Sequence, residues 1–376
     1  TGDVRFGSGN GVFDVADGTV TGAVQFGAGN NTMRLSGDAV HSGKLTFGAG
    51  NDLLSLAGTS RLGGTVDFGG GLDNLAIAGT AVFAGQLVNA GGLRVDVTGG
   101  TLAATGQASI GSLDVGAAGT LHATLSKTAG EGTLYNIAGA ANFAKGATLS
   151  LTLGNVSDAE GRYTILQAGS ISGLADITTE TDLIPFMFKA SLATNAPANT
   201  IAVDVARKSA QELGLNRSQS SAYGAIFAAL SEDEDVEDVF LGINNGDLFR
   251  GTLRQMLPDH AGGAFESVSL GSRTFGRQIS DPQSPVYSLG GVDLIFSTAL
   301  WSSEKGEGDT AAYDLGGFGF SVAGEVDTGI GAFGLAANWF WNEYDQGTDL
   351  TNVQSDTYEL AAYWRGQWGG FNAYAR

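Results

Sequence analysis

The sequence predicts an all-β chain: a parallel β-helix solenoid, then a short helical connector, then the opening strands of an antiparallel transmembrane β-barrel. Three observations carry this. Phe-Gly-Xaa-Gly recurs at Phe6, Phe26, Phe47 and Phe68, spaced 20, 21 and 21 residues apart. The 376 residues include 60 glycines and only 5 prolines, and 15% are charged, far from an average globular chain. The last quarter alternates large aromatics with small or polar residues and holds all five tryptophans, from Trp301 to Trp368.

The repeat comes first. A unit of roughly 20 residues cannot bury a core alone, so it stacks on its neighbours. Val24 and Phe26 precede a Gly-Ala-Gly-Asn turn that Met33 and Leu35 follow; Leu45 and Phe47 precede the same turn, followed by Leu54 and Leu56. Alternation over such short runs predicts strands with one buried face, with glycines supplying positive φ in the turns. From Thr1 to about Val205 there is room for roughly ten coils, a rod on the order of 50 Å at the usual strand spacing. The strict repeat fades after Gly79, and the aromatic-rich stretch from Tyr163 through Phe186–Leu192 to Val205 reads as a better-packed end.

At Arg207 the texture changes to helix formers. Ala210, Leu213, Leu215, Ala222, Ile226, Ala229 and Leu230 fall near helical spacing, and Ser231 with Glu234 forms a capping box for a second helix through Leu241. Asn244, Asn245 and Gly246 break it. Asp247 is positioned to cap a helix over 248–257, and Asp259 another through Ile279. That last helix is thin, because Gly262, Gly263, Ser267, Ser269, Gly271, Ser272 and Gly276 carry little bulk, so a narrow passage can hold it.

Beyond Pro282 and Pro285 the alternation returns. Phe318, Phe320 and Val322, then Phe333, Leu335, Ala337, Trp339 and Trp341, then Tyr358, Leu360, Ala362 and Trp364 mark one greasy face. Strands of about 10 residues with this alternation and aromatic girdles read as outer-membrane strands, with the tryptophans at membrane interfaces. About five such strands are countable from Val286 to Arg376, fewer than the roughly eight of the smallest closed barrels.

Composition narrows function. A net charge of −20 without a basic patch argues against nucleic-acid or anionic-lipid binding through a basic surface. Zero cysteines excludes disulfides and thiolate metal sites. No apolar run reaches the roughly 18 residues of a transmembrane helix, a test that says nothing of strands.

A Gly-rich β-helix, a helical connector and an aromatic antiparallel series, in that order, resembles the autotransporter family of type V secretion. The most specific local features are Tyr163-Thr164-Ile165-Leu166 to Ile171-Ser172-Gly173, similar to the passenger's terminal coils, and Tyr313 to Phe320 followed by Phe333 to Tyr344. The resemblance implies a β-helical passenger stalk over 1–205, a connector and pore helix over 206–281, and the first part of a barrel of about 12 strands over 282–376. It implies an adhesin-like or display stalk at the bacterial cell surface, anchored in the outer membrane. Implied partners are outer-membrane lipid, the barrel-assembly machinery and periplasmic chaperones. The chain starts in mid-pattern and stops without the family's terminal aromatic, so the sequence reads as a segment truncated at both ends. The other reading is a secreted β-helix adhesin or polysaccharide-processing protein whose last quarter is a soluble sheet.

Candidate sites are few. Gly48-Ala49-Gly50-Asn51-Asp52 looks like part of a calcium nonapeptide repeat, but the positions equivalent to Asp52 are Gly11, Asn31 and Asp73, so no carboxylate ladder forms. A turn is favoured, with weak calcium binding at Asp52 the open alternative. Asp14, Asp38, Asp67 and Asp73 differ in position within the repeat and do not line up as polysaccharide-cleaving carboxylates. Glu232, Asp233, Glu234, Asp235, Glu237 and Asp238 read as a solvated helix start, and Asn244-Asn245 as a helix-ending turn in preference to a self-cleavage site. His41, His122 and His260 are far apart, and no nucleophile with its base is visible. The expectation is no enzyme, no cofactor and no metal centre.

Overall fold

The computed structural model describes residues 2–156, 159–257, 262–281, 286–346 and 352–376. The chain is mostly β, with 51% of residues in strands against 15% in helices, in one large sheet and a separate six-stranded antiparallel sheet. It divides into two compact units, Thr1–Leu213 with Ala225–Phe249, and Gly214–Gly224 with Arg250–Arg376.

In the first unit short strands pair in parallel with their counterparts one repeat later. One column runs Phe13, Met33, Leu54, Leu75, Val95, Leu113, Ala141 and Ile171, each in register with the next. Seven steps at strand spacing span about 34 Å, shorter than the rod expected from roughly ten coils. The reason is the length of each turn, which drops to 18 residues from Val95 to Leu113 and grows to 28 and 30 in the last two steps. Parallel pairing also stops before Val205. Gly161–Ser172 pairs antiparallel with Thr200–Arg207, which pairs antiparallel with Phe188–Leu192, so a hairpin covers the last edge.

The alternation does set which residues are inside. Val24, Met33, Leu45, Leu54 and Leu56 are all fully buried. Phe6, Phe26, Phe47 and Phe68 stack face to face, with centroids 4.6, 5.1 and 5.5 Å apart, so the recurring aromatic forms a continuous column within the offset-stacking range. After Phe26 and Phe47 the following glycine serves close approach and not positive φ, since a Cβ on Gly48 would overlap the Gly27 carbonyl of the preceding repeat, whereas after Phe68 both Gly69 (68°) and Gly71 (123°) have positive φ. Positive φ also falls at a later turn of the repeat, at Gly37 (55°) and Gly58 (67°).

Helix α1 spans Arg217–Ala229, α2 Glu234–Leu241, α3 Gly246–Gln255 and α4 Gly263–Ser280. The starts of α1, α2 and α3 differ from the sequence expectation. Residues 210–216 stay outside α1, because Gly214 takes φ 67° and Asn216 makes a reciprocal box with Gln219, with N···O distances of 2.9 and 3.1 Å. Asp233, not Ser231, caps α2 by accepting from the Val236 amide at 3.2 Å. Asn245, not Asp247, caps α3 by accepting from the Leu248 amide at 2.8 Å. Asp259 lies outside the described residues.

The second sheet is a meander of six strands, one more than expected, because Gly290 and Gly291 turn Val286–Leu289 back onto Val292–Lys305. The next three, Tyr313–Thr328, Gly331–Asp345 and Asn352–Trp368, have 16, 15 and 17 residues, longer than the roughly 10 expected of a crossing strand. They run on past the greasy stretch into a polar border where Glu304, Asp314 and Asp345 stand side by side in register. Phe371–Ala375 completes the order.

Candidate functional site

The six-stranded sheet has two unlike faces. One carries in-register rows: Phe296, Val322, Ala337, Leu360; then Thr298, Phe320, Trp339, Tyr358; then Leu300, Phe318, Trp341, Asp356. These side chains are open. Leu300 and Leu360 are each 86% exposed and Tyr358 79%, and Leu335, in the next row with Leu294 and Ala362, is 71% exposed. At the end of the sheet with two-residue turns the face closes with Val326, Phe333 and Trp364 in register, and Trp368 opposite Phe371. Trp339 donates to Asp356 at 3.0 Å and Trp364 to the Ile330 carbonyl at 3.1 Å, so each ring has an apolar body and a satisfied polar tip.

The other face carries the polar residues of the alternation, and α4 lies on it. Ser321, Glu325, Asn338 and Asn342 are buried there. Arg365 pairs with Glu325 and donates to the Asp281 carbonyl at 2.8 Å, while the Tyr363 hydroxyl donates to Glu325 at 2.9 Å. Arg376 reaches the Ser272 carbonyl and hydroxyl at 3.1 and 2.8 Å and pairs with Glu359 at 3.3 Å. Small residues let α4 approach: a Cβ on Gly263 would overlap the Tyr344 ring, and one on Gly271 would lie 3.1 Å from Trp301. The contact is not wholly thin, since Phe275 stacks on Phe340 at 4.7 Å and Ile279 joins Ile295, Ala323, Ala336 and Tyr363 in a buried cluster.

Trp301 corrects the reading of all five tryptophans as interfacial. It belongs to the α4 side, edge-on to Phe275 and Phe340, and donates to Asn342 at 3.2 Å. Phe340 and Tyr363 break the small-or-polar pattern of that face for the same reason: they meet the helix. Nothing in the strand alternation announces this, but Phe275 and Ile279, four residues apart on α4, are the sequence signal that finds it.

The carboxylates singled out in the first unit do not converge, and among the described residues no group of three or more His, Cys, Asp or Glu is placed to hold a metal. Asp52 and Asp73 are buried in a column that also contains Gly11 and Asn31, whereas Asp38 lies in an exposed turn. Asp67 accepts from Asn89 at 2.8 Å, and Asp14 pairs in register with Arg34. Of the acidic run, Asp233 caps α2, and Glu237 accepts from the Val156 amide at 2.7 Å.

His122 lies 3.3 Å from both the Ser150 and Thr152 hydroxyls. Its base–hydroxyl distance resembles a catalytic pair, but the ring sees hydroxyls at both nitrogens, so no carboxylate orients it. Burial lowers its pKa. His41 is fully buried between Val20 and Leu62, and burial lowers its pKa against the opposing pull of the Gly22 backbone. His260 lies outside the described residues. No family model, no curated protein and no solved structure matches the chain.

Proposed function

We propose that the chain is a segment of an autotransporter-type protein: the six-stranded sheet is part of an outer-membrane β-barrel, α4 occupies its lumen, and the parallel stack is a β-helical passenger carried to the cell surface. One observation carries the reading. The helix packs on the polar face of the sheet and leaves the aromatic face bare. A sheet folding in water does the opposite, since burying apolar area is the main driving force of its packing. A bare face of this size requires an apolar surrounding, and lipid is the surrounding that touches every row at once.

The dimensions agree. From Phe333 to Trp341 is eight residues, about 27 Å along the strand and about 21 Å across a bilayer at a 40° tilt, close to the apolar band of such barrels. Two-residue turns at one end and connections of six and seven residues at the other match the short periplasmic turns and longer external loops of this class. On this reading the protein works by insertion and translocation, without covalent chemistry, and its lumenal polar groups fix α4.

The test is quenching of tryptophan fluorescence by lipids brominated on the acyl chain, with the full chain reconstituted in vesicles. Trp339, Trp341, Trp364 and Trp368 face lipid, so strong quenching is expected, together with slower gel migration on heating. Extraction by alkaline carbonate with no quenching would sink the proposal and leave a soluble sheet.

A further inference from the structure

The turns 26–31 and 47–52 are Phe-Gly-Ala-Gly-Asn followed by Asn31 in one and Asp52 in the next. They stack directly, Gly48 over Gly27 and Gly50 over Gly29. Asn31 uses its amide nitrogen to close its own turn, donating to the Gly27 carbonyl at 3.0 Å and the Gly29 carbonyl at 2.6 Å. Its amide oxygen accepts from the Gly11 backbone at 2.9 Å. Asp52 repeats the second half of this pattern, its Oδ1 accepting from the Asn31 backbone at 2.6 Å and the Asn31 side chain at 2.9 Å. Because its Oδ1 matches the Asn31 amide oxygen, its Oδ2 is the counterpart of the donating nitrogen. That atom is buried without a partner, in a residue only 2% exposed. Of the two corresponding carbonyls in its turn, Gly48 already accepts from the Gly70 amide at 3.0 Å; an ionised carboxylate has no hydrogen to give to the Gly50 carbonyl, and an unpaired buried charge is costly.

We propose that Asp52 is a proton-binding site: it is held as a neutral carboxylic acid whose single Oδ2–H donates to the Gly50 carbonyl of its own turn, the counterpart of the Gly29 carbonyl that the Asn31 amide reaches one repeat earlier. Asn31 and Asp73 face it from the neighbouring repeats. Asp73 accepts from the Asp52 backbone at 2.8 Å, and burial first, with the Asp52 charge after it, raises its pKa. Burial, the largest influence, raises the Asp52 pKa, in the same direction. A divalent cation is a poorer occupant, because calcium takes about 6 to 8 oxygens and this site is closed to solvent. Asp73 is not a second copy, since its turn runs through Gly69 and Gly71 at positive φ, 68° and 123°. The inference concerns the first unit and does not rest on the membrane reading.

The sign follows. A carboxyl whose folded pKa is raised stabilises the fold below its unfolded pKa of about 3.9, and that stability is lost as pH rises through the folded value. Between the two, the folding equilibrium of this turn falls about tenfold per pH unit.

The test is amide hydrogen exchange over residues 45–56 in the full chain from pH 4 to pH 8, corrected for intrinsic exchange, in wild type and Asp52→Asn. Asparagine supplies the donor at every pH, so the variant is expected to be the better protected at pH 8, with the gap closing as pH falls. An infrared band of a neutral carboxylic acid at pH 5.5, where an ordinary carboxylate is ionised, is expected in wild type and absent from the variant. Asn31→Asp is expected to add a second gap of the same sign; folding of that variant only at low pH counts as the same result. A gap independent of pH, no neutral-acid band, or protection by millimolar calcium that Asp52→Asn abolishes would overturn the proposal.

Discussion

Leu360→Arg separates a lipid-facing sheet from a water-facing one. Leu360 is 86% exposed and lies in register with Ala337, four residues from Phe333 on one side and four from Trp341 on the other. That is about 14 Å along the strand from each aromatic row, which, in the proposed lipid-facing sheet, puts the position at the bilayer midplane. In water, replacing so open a leucine changes stability by no more than about 0.5 kcal/mol. At the midplane an arginine costs about 2–4 kcal/mol, a loss of roughly 30-fold to 900-fold in the folding equilibrium. Asp345→Arg, at the polar border of the same face, is the control and costs about 0–1 kcal/mol. Denaturant titration of the vesicle-bound chain, followed by tryptophan emission, measures both. Equal midpoints for Leu360→Arg and wild type would refute the reasoning.

Three further outcomes are expected. Phe47→Ala removes the middle ring of the stack and costs about 3–5 kcal/mol, read as lost exchange protection in the turns on both sides. His41 has a folded pKa below its unfolded one, so the stability tied to its neutral form is complete above about pH 6.5 and is lost, about tenfold per pH unit, as pH falls toward the folded value; His41→Leu, matched to Val20 and Leu62, flattens that limb in an acid titration. Gly271→Val pushes α4 off Trp301 and Phe340 and costs about 1–3 kcal/mol, visible as a lower melting temperature of the reconstituted chain.

The inward residues of the first unit were legible because spacing and alternation are both local signals. Phe26, Met33, Leu45 and Leu54 needed only a period of two inside a period of 21 to be placed. Strand direction was not legible: Thr200–Arg207 alternates like any other strand, and alternation does not distinguish an antiparallel partner from a parallel one. Helix starts slipped by one to several residues because Ser231, Asp233, Asp247 and Asn245 are all chemically able to cap, and tertiary packing chooses among them. The greasy face of the second sheet was readable, whereas its polar side was read too simply, since Trp301 and Phe340 are there to meet Phe275. The Asn31 and Asp52 positions were aligned correctly in sequence, but that one stacks its oxygen on the other's amide needed coordinates.

The column from Phe13 to Ile171 keeps its register while the chain length between successive levels varies from 18 to 30 residues. Insertions and deletions are therefore absorbed sideways, in the excursions between strands, and the axis does not record them. A stack of this kind can acquire a new loop at one level without renegotiating the others, because each level answers only to those directly above and below. The turns between levels are where such a lineage can experiment with new sequence at least structural risk, and where a foreign peptide is best grafted.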